Sequence, residues 1–284
     1  MISMSNKKKE TLEENKRISP YLSDAIRLSK RLFGSNNVIA GIIFGSRVKS
    51  GISKISDHDI ILLVSNEISR KQIIHSRKYF DALVVKHGLK DGNRGIIEKV
   101  LHKVEKITGM FVNYFICNIN AFNKGNAIEI FSVSHFLGKL LAPMNIVFGS
   151  ALQKYELFFG TVIEPKWEFE KLKVYDVVKS LVMNVLLVLG SFITAPISKS
   201  GRKYVLEACK WSLYACFYFI FHKTPTIQKS LNIFKKFGIS DQYLSDFNNY
   251  RNNNTFHPKF FIQTLIQSIK LHITAIKYRS ALET

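Results

Sequence analysis

Cysteine is scarce in this chain. Three cysteines, Cys117, Cys209 and Cys216, leave one over from any disulfide pairing and stand at no spacing that a tetrahedral metal site uses. That excludes a disulfide-stapled scaffold and leads us to expect reduced, buried thiols in a cytoplasmic protein. Internal repeats are missing, and the one low-complexity stretch is the short run Asn252 to Asn254. The first residues carry Lys7 to Lys9 and then Glu10, Glu13 and Glu14 rather than an apolar run, so a secretion signal is not expected and residues 1–18 read as a flexible terminus. Acidic residues are also in short supply: 21 Asp and Glu stand against 41 Lys and Arg, a formal charge of +20. The excess is not confined to a tail, because residues 1–166 carry 25 basic against 14 acidic residues and residues 167–284 carry 16 against 7. A field of this sign attracts polyanions such as RNA or tRNA and disfavours a cationic small molecule unless its pocket is locally acidic.

What the chain does have is length enough for two domains, each with its own core. The stretch that organises it runs from Ala40 to Val64. A β-branched run from Val38 to Phe44 stops at Gly45-Ser46; Asp57 and Asp59 follow, and directly after them come Ile60, Ile61, Leu62, Leu63 and Val64. The pattern reads as strand, tight turn, connection and second buried strand. Side chains alternate along a strand, so Asp57 and Asp59 share a face while His58 points away. Paired carboxylates repel each other, and a hard divalent cation such as Mg²⁺ relieves that repulsion. Gly45 lets the backbone come close to a phosphate, and Ser46 adds a hydroxyl and an N–H. Arg47 and Lys49, just beyond the turn, can pair with triphosphate charge.

Gly45-Ser46, ten residues and then Asp57-His58-Asp59, between two apolar strands, resembles the signature of the DNA polymerase β-like nucleotidyltransferase superfamily of minimal type. The resemblance implies an α+β fold: a mixed β-sheet flanked by helices over residues 19–165, then an all-α bundle over residues 166–284. It implies transfer of a nucleoside monophosphate, AMP from ATP being the first expectation, to a hydroxyl of RNA, tRNA, a protein or a small molecule, with release of pyrophosphate. It implies nucleotide contacts from Gly45, Ser46, Arg47 and Lys49, and two Mg²⁺ ions held by Asp57, Asp59 and a third carboxylate on an adjacent strand. Asp81 is the expected third ligand, at the start of a strand read over residues 79–86, with Glu98 and Glu129 in reserve.

Elsewhere the apolar spacing predicts helices over residues 21–33, 66–76, 91–107 and 127–141, and strands over residues 110–117 and 142–148. Beyond Glu164-Pro165-Lys166, a natural domain boundary, it predicts helices over residues 167–190, 203–221, 226–237 and 261–278. Residues 180–197 are nearly long and apolar enough to span a bilayer; a buried bundle helix is the expectation and a membrane span the alternative. Trp211, Tyr214, Phe217, Tyr218 and Phe221 fall at helical spacing and are expected in the core. Arg251-Asn252 with His257 resembles the Arg–His signature of HEPN domains, which often accompany minimal nucleotidyltransferases, often pair and in some cases cleave RNA. Arg251 would steady a phosphate and His257 move a proton. The alternatives to an active transferase are therefore a HEPN-type ribonuclease with a regulatory first half, and a non-catalytic NTP-binding protein; a homodimer is a further expectation.

Overall fold

The structure is a computed structural model, and it describes residues 19–45, 59–89, 112–134, 136, 142–161, 163, 165, 167, 172–196, 199–253 and 258–283. The expectations for residues 1–18, for Ser46, Arg47, Lys49, Asp57, Glu98 and His257, and for the helix over 91–107 lie outside the described residues.

Ser19 opens the first helix, α1 (Pro20–Phe33): its hydroxyl accepts from the Leu22 N–H, a proline sits in the first turn, and Gly34 closes the helix at positive φ. A 3₁₀ turn (Ser35–Asn37) leads into β1 (Val38–Phe44), and β2 (Asp59–Val64) pairs antiparallel with it, Phe44 opposite Asp59 and Ile43 opposite Ile60. Next comes α2 (Arg70–Lys86), and then β3 (Tyr114–Asn118), which lies parallel to β2 with Ile60 beside Tyr114. Two short helices, α3 (Ile119–Asn123) and α4 (Ala127–Ile130), precede α5 (Met144–Leu152). The sheet closes on β4 (Tyr155–Gly160), antiparallel to β1, giving the order β3-β2-β1-β4. Beyond β4 every described element is helical: α6 (Val174–Thr194), α7 (Lys199–Phe221), α8 (Ile227–Lys236), α9 (Asp241–Asn253) and α10 (Lys259–Glu283). The fold is α+β, a mixed sheet with helices on both faces followed by a helical bundle.

Strand alternation divides the core. Ile60, Leu62 and Val64 of β2 pack with Tyr114 and Ile116 of β3 against Leu22, Ala25, Phe80 and Val84 of α1 and α2. Ile61 and Leu63 face the other way, joining Phe115, Cys117, Phe122, Phe148 and Leu152. A third cluster, centred on α7 through Ala208, Cys216, Phe217 and Phe219, fills the bundle, and Ile146 of α5 belongs to it, tying the first half to the second. All three cysteines are buried, as expected, and so are Tyr214, Phe217 and Tyr218 of the aromatic series.

Four sequence expectations are corrected. Residues 66–76 and 79–86 are not a short helix followed by a strand; one helix, α2, covers Arg70–Lys86, opened by a capping box in which the Ser69 hydroxyl takes the Gln72 N–H and the Gln72 side chain reaches back to Ser69. Residues 142–148 are not the last strand: α5 begins at Met144, and the sheet's fourth strand is β4. The helix over 127–141 does not run through, since α4 ends at Ile130 and Ser132 turns the chain at φ 55°. In the bundle, α9 is an additional helix that the apolar spacing did not show.

The bundle also encloses a histidine. His272 on α10 is 1 % exposed, with Nδ1 2.7 Å from the Ser268 carbonyl oxygen and Nε2 3.2 Å from Ser180 Oγ on α6. The first contact makes Nδ1 the donor, and the neutral ring then accepts from Ser180 through Nε2. Burial pushes the imidazole down to about 4, the carbonyl bond opposing it. An unfolded histidine binds its proton near pH 6.5. Between that pH and about 4 the unfolded chain therefore holds a proton that the native chain does not, and stability falls as pH falls. The full window amounts to on the order of 3 kcal/mol. We expect the urea midpoint to drop on going from pH 7 to pH 5, and His272→Gln to flatten that slope; an unchanged slope in the variant would remove His272 as its source.

Candidate functional site

The site begins where β1 ends. Gly45 takes φ +85°, a left-handed conformation that L side chains resist, and a Cβ built on it would lie 2.7 Å from Asp59 Oδ2. The Asp59 carboxylate thus occupies the space that glycine leaves open. The β1–β2 register produces this: Asp59 is the first residue of β2, opposite Phe44, with the fully buried Ile60 to Val64 behind it. The turn and the acid, read from sequence as partners, meet in the structure. Ser46, Arg47, Lys49 and Asp57 lie outside the described residues.

Asp59 also sets the electrostatics around it. The buried Tyr21 phenol is pushed well up, first by desolvation and then by the negative charge of Asp59. From the bundle, the ammonium of Lys210 on α7 stands above its ordinary value. Burial would lower it, but the Glu207 carboxylate, 2.6 Å from the Lys210 Nζ, and Asp59 together outweigh that burial. Tyr214, one turn further along α7, is raised by burial against the opposing charges of Lys210 and Arg251. Glu207 and Lys210 thus form an ion pair on the bundle side, with Asp59 within electrostatic reach of Lys210, and Lys210 and Arg251 within electrostatic reach of Tyr214. Sequence reasoning named Arg251 only as half of a HEPN-like pair and missed Glu207 and Lys210; two opposite charges three residues apart inside the apolar run Val205 to Trp211 were the available signal.

Asp81 is placed differently from the expectation. It lies in the second half of α2, not at the start of a strand, and the Tyr114 hydroxyl lies 2.9 Å from its Oδ1 and 2.9 Å from the Arg77 carbonyl oxygen. Tyr114 belongs to the sheet face covered by α1 and α2. Asp59 is in step with Ile61 and Leu63, which point to the opposite face. The strand that runs beside β2 is β3, and Tyr114–Asn118 carries no carboxylate. The argument that made Asp81 a third ligand, a strand neighbouring the first two acids, is thus removed. Of the reserves, Glu129 lies in the first turn of α4, its N–H donating to the capping Asn126 Oδ1 and its carboxylate accepting from Asn126 Nδ2.

Among the described residues, no three His, Cys, Asp or Glu side chains converge as a metal-binding group. What favours a cation is the cradle itself: a carboxylate oxygen seated against a left-handed glycine turn, with Asp57 two residues before it in sequence. Replacing Gly45 by alanine is expected to displace that carboxylate. If the cradle holds Mg-ATP, Gly45→Ala should lower that affinity at least tenfold, against a stability loss of about 1–2 kcal/mol from the left-handed backbone. Calorimetric titration with parallel urea melts separates the two, and unchanged affinity would refute the cradle.

No known family's pattern matches the sequence, and no curated protein is detectably related to it. Among solved structures, the chain is similar to the spectinomycin adenyltransferase AAD(9) from Enterococcus faecialis, crystallised with ATP and spectinomycin. The superposition has a TM-score of 0.53 at 12 % identity and covers 94 % of this chain and 99 % of that one. Over sheet and bundle together, the chain therefore shares the overall fold of that solved structure.

Proposed function

We propose that this protein is a nucleotidyltransferase that moves a nucleoside monophosphate from an NTP, ATP in the first instance, to a hydroxyl acceptor. One observation carries the reading: Asp59 Oδ2 fills the space beside the left-handed Gly45 at the open end of two buried strands. A similar fold that holds ATP in a solved structure supports it. Phosphoryl transfer needs positioning and charge more than covalent participation from the protein. A magnesium ion held by Asp57 and Asp59 would supply Lewis-acid charge to the triphosphate oxygens. Gly45-Ser46 would offer backbone N–H groups to the phosphates, and Arg47 and Lys49, next in sequence, would offer cations. Lys210 approaches from the bundle and is suited to neutralise charge that builds on the α-phosphate.

In the reaction the acceptor oxygen bonds to the α-phosphorus, the bridge to the β-phosphate breaks, and pyrophosphate departs. The acceptor proton needs a base, and Glu207, coupled through Lys210 to the Asp59 end of the sheet, is the bundle carboxylate we assign to that role in place of Asp81. The acceptor is an RNA, a protein or a hydroxyl-bearing small molecule.

The test is incubation with α-labelled ATP, Mg²⁺ and, separately, tRNA, total protein and a panel of aminocyclitols. Label in one fraction, with matching pyrophosphate, is expected and should vanish with EDTA. Tight Mg-ATP binding without pyrophosphate from any NTP would make this a binding protein, and RNA cleavage without label would make it a ribonuclease using Arg251 and His257.

A further inference from the structure

Among the described residues, one side of the bundle is uncovered. On α6, Asp176, Val177, Ser180, Asn184, Val188 and Ser191 are buried, while the opposite face is apolar from end to end. Its residues follow a three-four spacing, Tyr175, Val178, Val182, Val185, Leu189 and Phe192, with Val174, Leu186 and Ile193 beside them. On α10, Ile262, Ile266, Ile269, Ile273 and Ile276 repeat that spacing. This is the heptad pattern of a helix that packs on another helix. Among the described residues both seams stay largely open: twelve of these large side chains are between 38 and 69 % exposed, while Ile276 packs on the bundle core.

The two seams adjoin. Ser180 meets His272 and Phe192 meets Phe261, so α6 and α10 run antiparallel side by side. Phe192, itself on the exposed seam, packs edge-on against Phe261, the residue before Ile262. Around α10 the sequence of faces is the α6 contact, then the isoleucines, then Lys259, Lys270 and Lys277, which places the lysines at the outer rim. Within the α6 seam the one nearby cation, Lys179, lies with its Nζ 4.5 Å from the centre of the Tyr175 ring.

We propose that this face is a self-association surface, and that a second copy of the chain covers it so that α6 and α10 of one protomer and of its partner form an isologous four-helix bundle. The exposed side chains amount to on the order of 1,000 Å² per copy, where a standard interface buries roughly 800 Å² per partner. An apolar face this large is unusual on a monomer. Its centre carries no charge of either sign, so a partner need not be oppositely charged, and a two-fold axis sets the seam against itself. Eight of the twelve side chains are Val or Ile, whose stiff χ1 loses little freedom on packing. A bilayer would accept an apolar face without the three-four register, whereas a helical partner requires it.

Sedimentation velocity across a dilution series should show a species of twice 32.6 kDa. The double variants V182E/L189E on α6 and I266E/I269E on α10 should each sediment as monomers with unchanged helical circular dichroism. Ile74→Glu, on the exposed side of α2, should leave the dimer intact. As a measure that does not require a variant to lose anything, the series Val178→Cys, Val182→Cys and Leu186→Cys should yield a disulfide-linked dimer on oxidation, since the native thiols are buried. A parent that stays monomeric throughout, or a dimer that survives both double variants, would overturn the proposal. So would a monomer that floats with phosphatidylserine vesicles, which would make the face a lipid contact instead.

Discussion

Substituting Asp59 by asparagine is expected to slow pyrophosphate release by at least about a thousandfold, equivalent to about 4 kcal/mol of transition-state stabilisation. Asparagine keeps the shape and one oxygen, so the strand end and its packing against Gly45 persist. What goes is the negative charge, which on the proposed reading anchors the cation that faces the triphosphate. The fold should tolerate the change. Asp59 heads a strand whose remaining five residues are fully buried, and their burial is untouched. Removing the charge also relieves its upward pressure on the Tyr21 phenol. Lys210 loses one of its acids but keeps Glu207 at 2.6 Å. Turnover of Asp59→Asn should therefore collapse while its thermal midpoint stays near the parent's. An asparagine variant that released pyrophosphate at the parental rate would mean that the chemistry lies elsewhere.

The second large effect is structural and falls at Gly160. This residue ends β4 at φ +90°, paired with Ala40 of β1, and a Cβ there would lie 2.1 Å from the Ile39 carbonyl oxygen and 2.7 Å from the Ala40 Cα. Both obstacles are backbone, so no side chain can rotate out of the way. Gly160→Ala combines about 1–2 kcal/mol for a left-handed L residue with about 1–3 kcal/mol for overpacking. A loss on the order of 3 kcal/mol is expected in urea unfolding. Gly238→Ala is the control: φ is +76°, but nothing lies within 4 Å of its Cβ position, so it should show the backbone strain alone. Equal losses in the two variants would mean that β4 does not approach β1 as closely as described.

The parts of this architecture that could be read from sequence are those where local signals agree with tertiary demand. The first helix shows its capping serine, its proline and its terminal glycine; β1 and β2 are uninterrupted apolar runs. The meeting of Gly45 and Asp59 was legible because a strand, a turn and a second strand leave little choice of register. Where the reading failed, a local pattern supported two structures. Ala82 to Val85 is a short β-branched apolar run, which spacing alone cannot assign, and the strand reading carried Asp81 with it. The Ser69–Gln72 capping box was the signal that would have decided for a helix. β4 was hidden for the opposite reason. At the sheet's edge none of Tyr155–Gly160 is fully covered, and the segment holds no β-branched residue to mark it as a strand. The electrostatic link between Lys210 and Asp59, at the start of β2, depends on how the bundle meets the sheet, which no local window contains.

The order of the strands bears on how the chain is made. Phe44 finds Asp59 fifteen residues later, but its other neighbour, Tyr155, follows 111 residues behind it. During synthesis from the amino end, the hairpin can zip early, while the second flank of β1 must wait for nearly all of the first half to emerge. Closing so long a loop is slow compared with local pairing. For that interval β1 is an apolar ribbon with open hydrogen-bonding groups along one side, the kind of margin to which stray strands adhere. The last piece of the sheet to be translated is thus also the one that shields the first.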